Sequence, residues 1–122
     1  MAAQLSVKII AELTGLGEEI IFAGLFTDTT PPTKSLFQYM EQATVDTDEA
    51  LPVSDVATEG VLIIKAVTND VEIDLDFDTT FNADFTIKEG RWAVIPEPTG
   101  TIHFEAVEAD EKATIQYLLI GT

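Results

Sequence analysis

Acidic and apolar residues alternate strictly over one nine-residue segment of the chain. From Asp70 to Asp78 every even position is acidic and every odd position is apolar. Successive side chains of a β-strand point to opposite faces of a sheet, so this pattern predicts a strand with one face on a hydrophobic core. The other face is predicted to hold a row of carboxylates in solvent: Asp70, Glu72, Asp74, Asp76 and Asp78.

Short apolar segments separated by turn residues fill the rest of the chain. They predict strands over residues 5–10, 20–26, 35–45, 53–56, 61–67, 81–88, 91–95, 101–106 and 113–120. The stretch 35–45 also fits helical spacing, and its context favours a strand. The acidic segment follows 61–67 after a polar turn and is predicted to be its hairpin partner. Turn signals at about every 8–12 residues indicate an all-β fold, either a β-sandwich or a barrel. Of these we expect an antiparallel β-sandwich, specifically a jelly roll.

The whole chain, residues 1–122, is predicted to be a single sandwich domain, with residues 1–10 as an edge strand or docking arm. A chain of this length with 46% apolar residues can bury a hydrophobic core without disulfides. Strand parity gives the residues expected to face that core: Val71, Ile73, Leu75, Phe77, Phe81, Phe85, Ile87, Ile102, Phe104, Ile115 and Leu119.

Charge and composition exclude several partners. The chain has 22 acidic and 6 basic residues, a formal net charge of −16, which argues against binding nucleic acid or anionic lipid. It has no cysteine, which removes disulfides and thiolate metal sites. The longest apolar run, residues 20–26, is far shorter than the roughly 20 residues that cross a bilayer, and the start lacks a signal-peptide pattern. We therefore expect that the protein is made and used in the cytoplasm, or that it leaves the cell by a route other than secretion.

No group of residues predicts catalysis, a cofactor or a metal site. His103 is the one histidine and is predicted to be exposed on a strand, and no serine lies in a Gly-x-Ser-x-Gly pattern. The segment that starts at Asp46 begins like a calcium loop, but Ala50 and Leu51 occupy positions that need a ligand and a glycine. The carboxylates of the acidic strand are too widely spaced to share an ion unless a neighbouring strand or subunit supplies more oxygens, so we expect a solvated face.

Interface residues are predicted in three places. Arg91 and Trp92 stand at a turn-to-strand junction, and both residue types are enriched in binding hot spots. The apolar ends of the chain could pair with a neighbouring chain as added strands. The candidates from these ends are Leu5, Val7, Ile9 and Tyr117. A carbohydrate-binding sandwich is an alternative, but it needs an exposed aromatic platform that strand parity does not predict.

The second half has a recognisable layout. Val61 to Lys65 precede a polar turn and an alternating strand, Glu89 to Pro96 follow, and Tyr117 to Gly121 form the last strand. Over residues 51–121 this layout, without a shared signature motif, resembles small jelly-roll-like virion proteins of tailed bacteriophages. Those proteins decorate or cement the head shell, or sit in the tail or collar. The resemblance implies a non-enzymatic protein that binds the major capsid protein or another virion protein. The apolar ends of the chain lead us to expect a homo-oligomer, such as a trimer.

Overall fold

The computed structural model describes residues 3–15, 17, 20–27 and 31–122, and in these residues it is all-β. The strands are β1 Ser6–Leu13, β2 Ile20–Thr27, β3 Lys34–Glu41, β4 Glu49–Ala50, β5 Glu59–Thr68, β6 Val71–Asp74, β7 Phe85–Ile87, β8 Trp92–Pro96, β9 His103–Ala106 and β10 Thr114–Gly121. All strand pairs are antiparallel, which confirms the predicted fold class. No helix long and apolar enough to cross a membrane occurs in the described ranges.

The chain divides into two compact units, residues 1–32 and 33–122. In the first unit β1 and β2 form a two-stranded sheet, from Ser6 opposite Thr27 to Leu13 opposite Ile20. Between the strands lies Gly17, whose φ of 91° is accessible to glycine because it has no Cβ. The prediction of one sandwich domain over the whole chain stays a prediction.

Residues 33–122 form a β-sandwich of two four-stranded sheets. The first sheet has the order β3-β10-β5-β8, and the second has the order β4-β9-β6-β7. The pairing is nested: β3 lies beside β10, β4 beside β9, β5 beside β8 and β6 beside β7. The first four of these strands, β3 to β6, therefore each pair with one of the last four, β7 to β10, in reverse order.

Apolar side chains from both sheets form a single core in this unit. The first sheet contributes Leu62, Ile64, Ala66, Ile115, Tyr117 and Leu119, and the second contributes Val71, Ile73, Ile87, Phe104 and Ala106. Full burial of one such side chain contributes about 1.5–3 kcal/mol. Of the predicted core, Val71, Ile73, Ile87, Ile102, Phe104, Ile115 and Leu119 are buried, and Leu75, Phe77, Phe81 and Phe85 are half-buried.

The predicted hairpin between 61–67 and the acidic strand is wrong. β5 lies in the first sheet and β6 in the second, so the chain passes from one sheet to the other between them. Asn69 makes this turn with a φ of 65°, and its side-chain amide donates to the carbonyl of Lys112 at 2.9 Å. Both strands have an apolar face on the same core, and alternation alone cannot distinguish a paired strand from one on the opposite sheet.

Several strand assignments also differ from expectation, among them the strand predicted at 81–88, which is reduced to Phe85–Ile87. The acidic strand ends at Asp74 instead of Asp78, and the predicted strand at 53–56 is absent. The short strand β4, at Glu49–Ala50, lies in a segment that was predicted to be a loop. It pairs with β9, with Glu49 opposite Phe104. A two-residue strand is set by its neighbour in the sheet, so its own sequence gives no periodic signal.

Candidate functional site

Three rows of largely apolar residues cross all four strands on the outer face of the first sheet, and Glu41 of β3 lies in the row beyond them. In the order β3, β10, β5, β8 the rows are Ser35, Ile120, Val61, Pro96; Phe37, Leu118, Ile63, Val94; and Tyr39, Gln116, Lys65, Trp92. We call these residues the apolar face. None of them is acidic, in a chain with 22 acidic residues. Lys65 is the one charged residue among them.

Three aromatic side chains of the apolar face are open to solvent. Phe37 is 63% exposed, Tyr39 64% and Trp92 68%. Phe37 and Tyr39 belong to β3 and Trp92 to β8, the two outer strands of the sheet. At about 4.8 Å between neighbouring strands, these aromatic residues stand about 14 Å apart across the sheet. Apolar surface concentrated in this way is typical of an interaction site.

A groove of about 380 Å³ runs between these outer strands. Phe37 and Trp92 line its two sides, and Ile63 and Leu118 lie between them. Lys65 and Gln116 give it a polar end, in the next row of the sheet. The groove therefore combines aromatic walls, an aliphatic floor and one cation.

Lys65 differs from the lysines that pair with carboxylates. Ion pairs join Lys34 to Asp55 at 2.9 Å, Lys88 to Asp70 at 3.1 Å and Lys112 to Glu41 at 3.9 Å. In the part of the chain that the structure describes, no carboxylate lies within ion-pair distance of Lys65. This ammonium therefore remains open to a carboxylate from outside the described residues.

The expectation that no exposed face carries an aromatic platform is wrong. Strand parity describes a single strand, and each strand contributes at most two of these aromatic side chains. The platform arises because β3 and β8 belong to one sheet, joined through β10 and β5. The signal in the sequence was the outward parity of Phe37 and Tyr39, combined with Trp92, but the sheet order was needed to join them.

The outer face of the second sheet has the opposite character. Glu72 on β6 lies directly opposite Glu105 on β9. Partial burial raises the pKa of Glu105, and the negative charges of Asp48, Glu72 and Asp46 raise it further. We call these four carboxylates the acidic face. The sandwich thus presents an apolar surface on one sheet and a concentration of negative charge on the other.

His103 lies beside the acidic face, and its predicted exposure is wrong. Its Nδ1 is 2.6 Å from a carboxylate oxygen of Asp48. The ring of Phe77 stacks on the imidazole, with ring centroids 3.6 Å apart and planes 13° apart. The stack covers the imidazole on one side, so His103 is half-buried. No hydroxyl or thiol nucleophile is bonded to this histidine among the described residues.

Asp74 is buried, so the predicted solvent-facing row of carboxylates is wrong at this position. Its side chain is 1% exposed and belongs to the last residue of β6. One carboxylate oxygen accepts from the backbone N–H of Asp76 at 3.0 Å and the other from that of Asn82 at 2.9 Å. Asp74 therefore ends the strand and orders the loop to β7. Other members of the row also have different surroundings. The carboxylate of Asp70 accepts hydrogen bonds from the ammonium of Lys88 and from the backbone N–H of Glu89, while Asp76 and Asp78 are exposed in the loop.

Three carboxylates lie together in this loop. Oxygens of Asp74, Asp76 and Asp84 all lie within 4.8 Å of one another, close enough to share a cation. Burial opposes ionisation of Asp74, but the two backbone hydrogen bonds and the nearby His103 outweigh it and lower its pKa. A hydrogen bond with Asp74 and the charge of Asp84 raise the pKa of Asp76. The loop thus contains carboxylates with opposite pKa shifts, held by backbone donors.

The predicted interface residues lie in different environments. Trp92 and Arg91 are exposed, and Trp92 lines the groove. Tyr117 belongs to the core, where its hydroxyl donates to the carbonyl of Pro52 at 2.6 Å. In the first unit Leu5 and Val7 are buried and Ile9 is exposed. Of the three that belong to residues 33–122, Arg91 and Trp92 are exposed and Tyr117 is buried, so these three do not form one surface.

Gln42 is a buried polar residue that no local sequence pattern distinguishes. Its side chain is 0% exposed. The amide nitrogen donates to the carbonyls of Thr44 and Thr47, and the amide oxygen accepts from the backbone N–H groups of Ala106 and Ala113. The residue joins the end of β3 to β9 and to the start of β10. Its role is structural.

Comparisons with protein-family models and with curated proteins find no match to this chain. The two outer faces of the sandwich and the groups that they expose are therefore the basis for a functional proposal.

Proposed function

We propose that this chain is a non-enzymatic structural protein that attaches to a larger protein assembly through its apolar face. The contrast between the two outer faces carries this proposal. The three rows of the apolar face contain no carboxylate and expose Phe37, Tyr39 and Trp92, although the chain has a net charge of −16. The layout of residues 51–121 suggests the setting, a tailed-bacteriophage virion assembled from proteins made in the host cytoplasm. The partner is then the major capsid protein or another virion protein.

The energetics of docking favour the apolar face over the rest of the surface. Aromatic side chains dominate the energetics of interfaces, because they bury a large area with few rotatable bonds. A carboxylate that loses its water without gaining a partner opposes binding, and the apolar face contains no carboxylate. The acidic face stays in solvent when the apolar face docks, and its charge favours solubility.

The strand order supports the jelly-roll part of the proposal. A jelly roll has eight strands in two sheets and contains two Greek keys. Strands β3 to β10 are eight strands in two sheets of four, and their pairing is nested from the outermost pair, β3 with β10, to the innermost, β6 with β7. This arrangement supports an assignment to the same fold type as the virion proteins that the layout resembles.

The first unit supports a homo-oligomer, such as a trimer. An isolated two-stranded hairpin is marginally stable in water and needs a further packing surface. Ile10 and Leu25 of the β1–β2 hairpin are exposed, on neighbouring strands of the ribbon. Contact between hairpins of neighbouring copies would cover such residues. Sedimentation analysis of the chain, with and without residues 1–32, tests this part of the proposal.

Particle analysis followed by cross-linking tests the main proposal. Virus particles are purified from cultures of the host strain that carries the gene and are analysed by mass spectrometry. A photoreactive amino acid at position 37 or 92 is then expected to cross-link to a virion protein. The matched control places the same group at Thr86, an exposed residue of the second sheet. Absence from particles, or equal cross-linking from position 86, contradicts the proposal.

A carbohydrate-binding module is the second candidate, and the groove favours it. Sugar rings stack on aromatic side chains, and Phe37 and Trp92 face each other across the groove with Gln116 and Lys65 at its polar end. Titration of soluble oligosaccharides against the fluorescence of the single tryptophan tests this function. Saturable quenching that Phe37→Ala removes, with Trp92 kept as the reporter, would favour the carbohydrate module over the assembly protein.

A further inference from the structure

Lys65 specifies what a partner must bring to the groove, an inference that rests on the proposed function. The residue lies in the last row of the apolar face, opposite Gln116 on β10 and Trp92 on β8. Its side chain is exposed, and no acidic residue belongs to the three rows of the apolar face. Glu41, in the row beyond them, pairs with Lys112. A partner that covers the apolar face also covers this ammonium.

We infer that the partner surface presents one carboxylate to Lys65, flanked by apolar side chains that fill the groove between Phe37 and Trp92. A charged group that is buried without a counter-charge opposes binding strongly. The chain itself pairs Lys34, Lys88 and Lys112 with carboxylates, but the described residues offer none to Lys65. The counter-charge therefore comes from the partner.

This requirement argues against two other occupants of the groove. A second copy docked face to face would bring an identical apolar face, which contains a lysine and no carboxylate. Two lysines would then be buried in one interface without counter-charges. A neutral sugar could stack on Trp92 but would leave the ammonium without a counter-charge. An acidic side chain or a chain-terminal carboxylate on a protein partner satisfies both the apolar and the charged part of the groove.

Two small probes that differ in charge test the inference on the full chain. The probes are 4-phenylbutyrate and its neutral amide, 4-phenylbutyramide, which share the same apolar body. Trp92 is the only tryptophan, so its indole N–H gives a single reporter signal in NMR spectra. We expect the carboxylate to shift this signal with millimolar affinity and to bind about fivefold more tightly than the amide, the effect of a partly exposed ion pair.

Variants of Lys65 separate charge from packing. Lys65→Met is expected to remove the preference for the carboxylate, and Lys65→Arg is expected to keep it. Lys88→Met is the matched control, because it removes a lysine that pairs with Asp70. Raising the salt concentration should weaken only binding of the carboxylate. Each substitution is on an exposed side chain, so a loss of folding is not expected.

Three results would overturn the inference: equal affinity of the two probes, a preference that persists in Lys65→Met, or no shift of the Trp92 signal with either probe. The outcome is separable from that of the proposed function. Cross-linking to a virion protein without a carboxylate preference overturns the inference alone. A carboxylate preference without any virion partner overturns the proposed function and leaves the chemistry of the groove.

Discussion

Glu72 and Glu105 lie directly opposite each other on the neighbouring strands β6 and β9. Like charges in this position destabilise a sheet, because the side chains of directly opposite residues are close in space. Asp46 and Asp48 add negative charge around Glu105, whose pKa is raised first by burial and then by these neighbours. The acidic face therefore has a measurable cost in stability at neutral pH.

Removing the charge of Glu105 should stabilise the protein at pH 7. Because the folded-state pKa is raised above 4.5, the ionised form is disfavoured in the folded state at neutral pH. We expect Glu105→Gln to raise the free energy of unfolding by about 0.5 kcal/mol at low salt. The wild type regains this difference as the pH falls through the folded-state pKa, and the two proteins converge below pH 4.5.

Thermal unfolding at pH 7 and pH 4 measures this effect. Glu108→Gln is the matched control, because Glu108 is exposed and lies in the turn after β9. A stabilisation of the same size in both variants would indicate a general effect of net charge instead of repulsion on the acidic face.

Asp74→Asn should destabilise the sandwich. Both carboxylate oxygens accept backbone N–H groups, and an amide offers only one oxygen, so one N–H faces an NH₂ group. We expect a loss of about 1–3 kcal/mol in urea unfolding at pH 7. Because the pKa of Asp74 is lowered, its contribution is present above pH 3.8 and is lost as the pH falls through the folded-state value. The exposed Asp78→Asn should change little, and an equal loss there would contradict the assignment.

Gln42→Leu should be among the most damaging single substitutions in residues 33–122. The change removes four hydrogen bonds and leaves the N–H groups of Ala106 and Ala113 without their partner. Each buried group left unsatisfied costs about 1–3 kcal/mol, so we expect a large drop in the urea midpoint. Gln116→Leu, on the apolar face, is the control. Similar midpoints for the two variants would show that the buried network contributes little.

Trp92→Ala should leave stability almost unchanged. The side chain is 68% exposed, and substitutions at such surface positions usually change the free energy of unfolding by less than about 0.5 kcal/mol. By comparison, Phe104→Ala empties a fully buried position and should cost about 3–5 kcal/mol. Urea unfolding followed by circular dichroism compares the two variants. Strong destabilisation by Trp92→Ala would mean that Trp92 is covered within the isolated protein.

Calcium should stabilise the protein no more than sodium chloride at matched ionic strength. In the cluster of Asp74, Asp76 and Asp84, both oxygens of Asp74 and one of Asp84 already accept backbone N–H groups. The remaining acceptors are few for an ion that takes six to eight oxygen ligands. Thermal unfolding with millimolar Ca²⁺ measures the effect. A shift of several degrees that Asp76→Asn abolishes would identify a metal site.

The all-β class and much of the core were determined by the sequence alone. Alternation with a period of two is a local property, because it depends only on the direction of successive side chains along a strand. Val71, Ile73, Ile87 and Phe104 were assigned to the core on this basis, and all of them are buried.

Tertiary structure decided which strands are neighbours and therefore which side chains share a surface. Phe37 and Trp92 form one groove only because β10 and β5 join β3 to β8. Alternation assigned Asp74 to solvent, yet the loop that follows β6 folds back and supplies two backbone N–H donors, which makes burial of its carboxylate favourable. Sheet order and loop donors depend on contacts between distant residues, and no local periodicity encodes them.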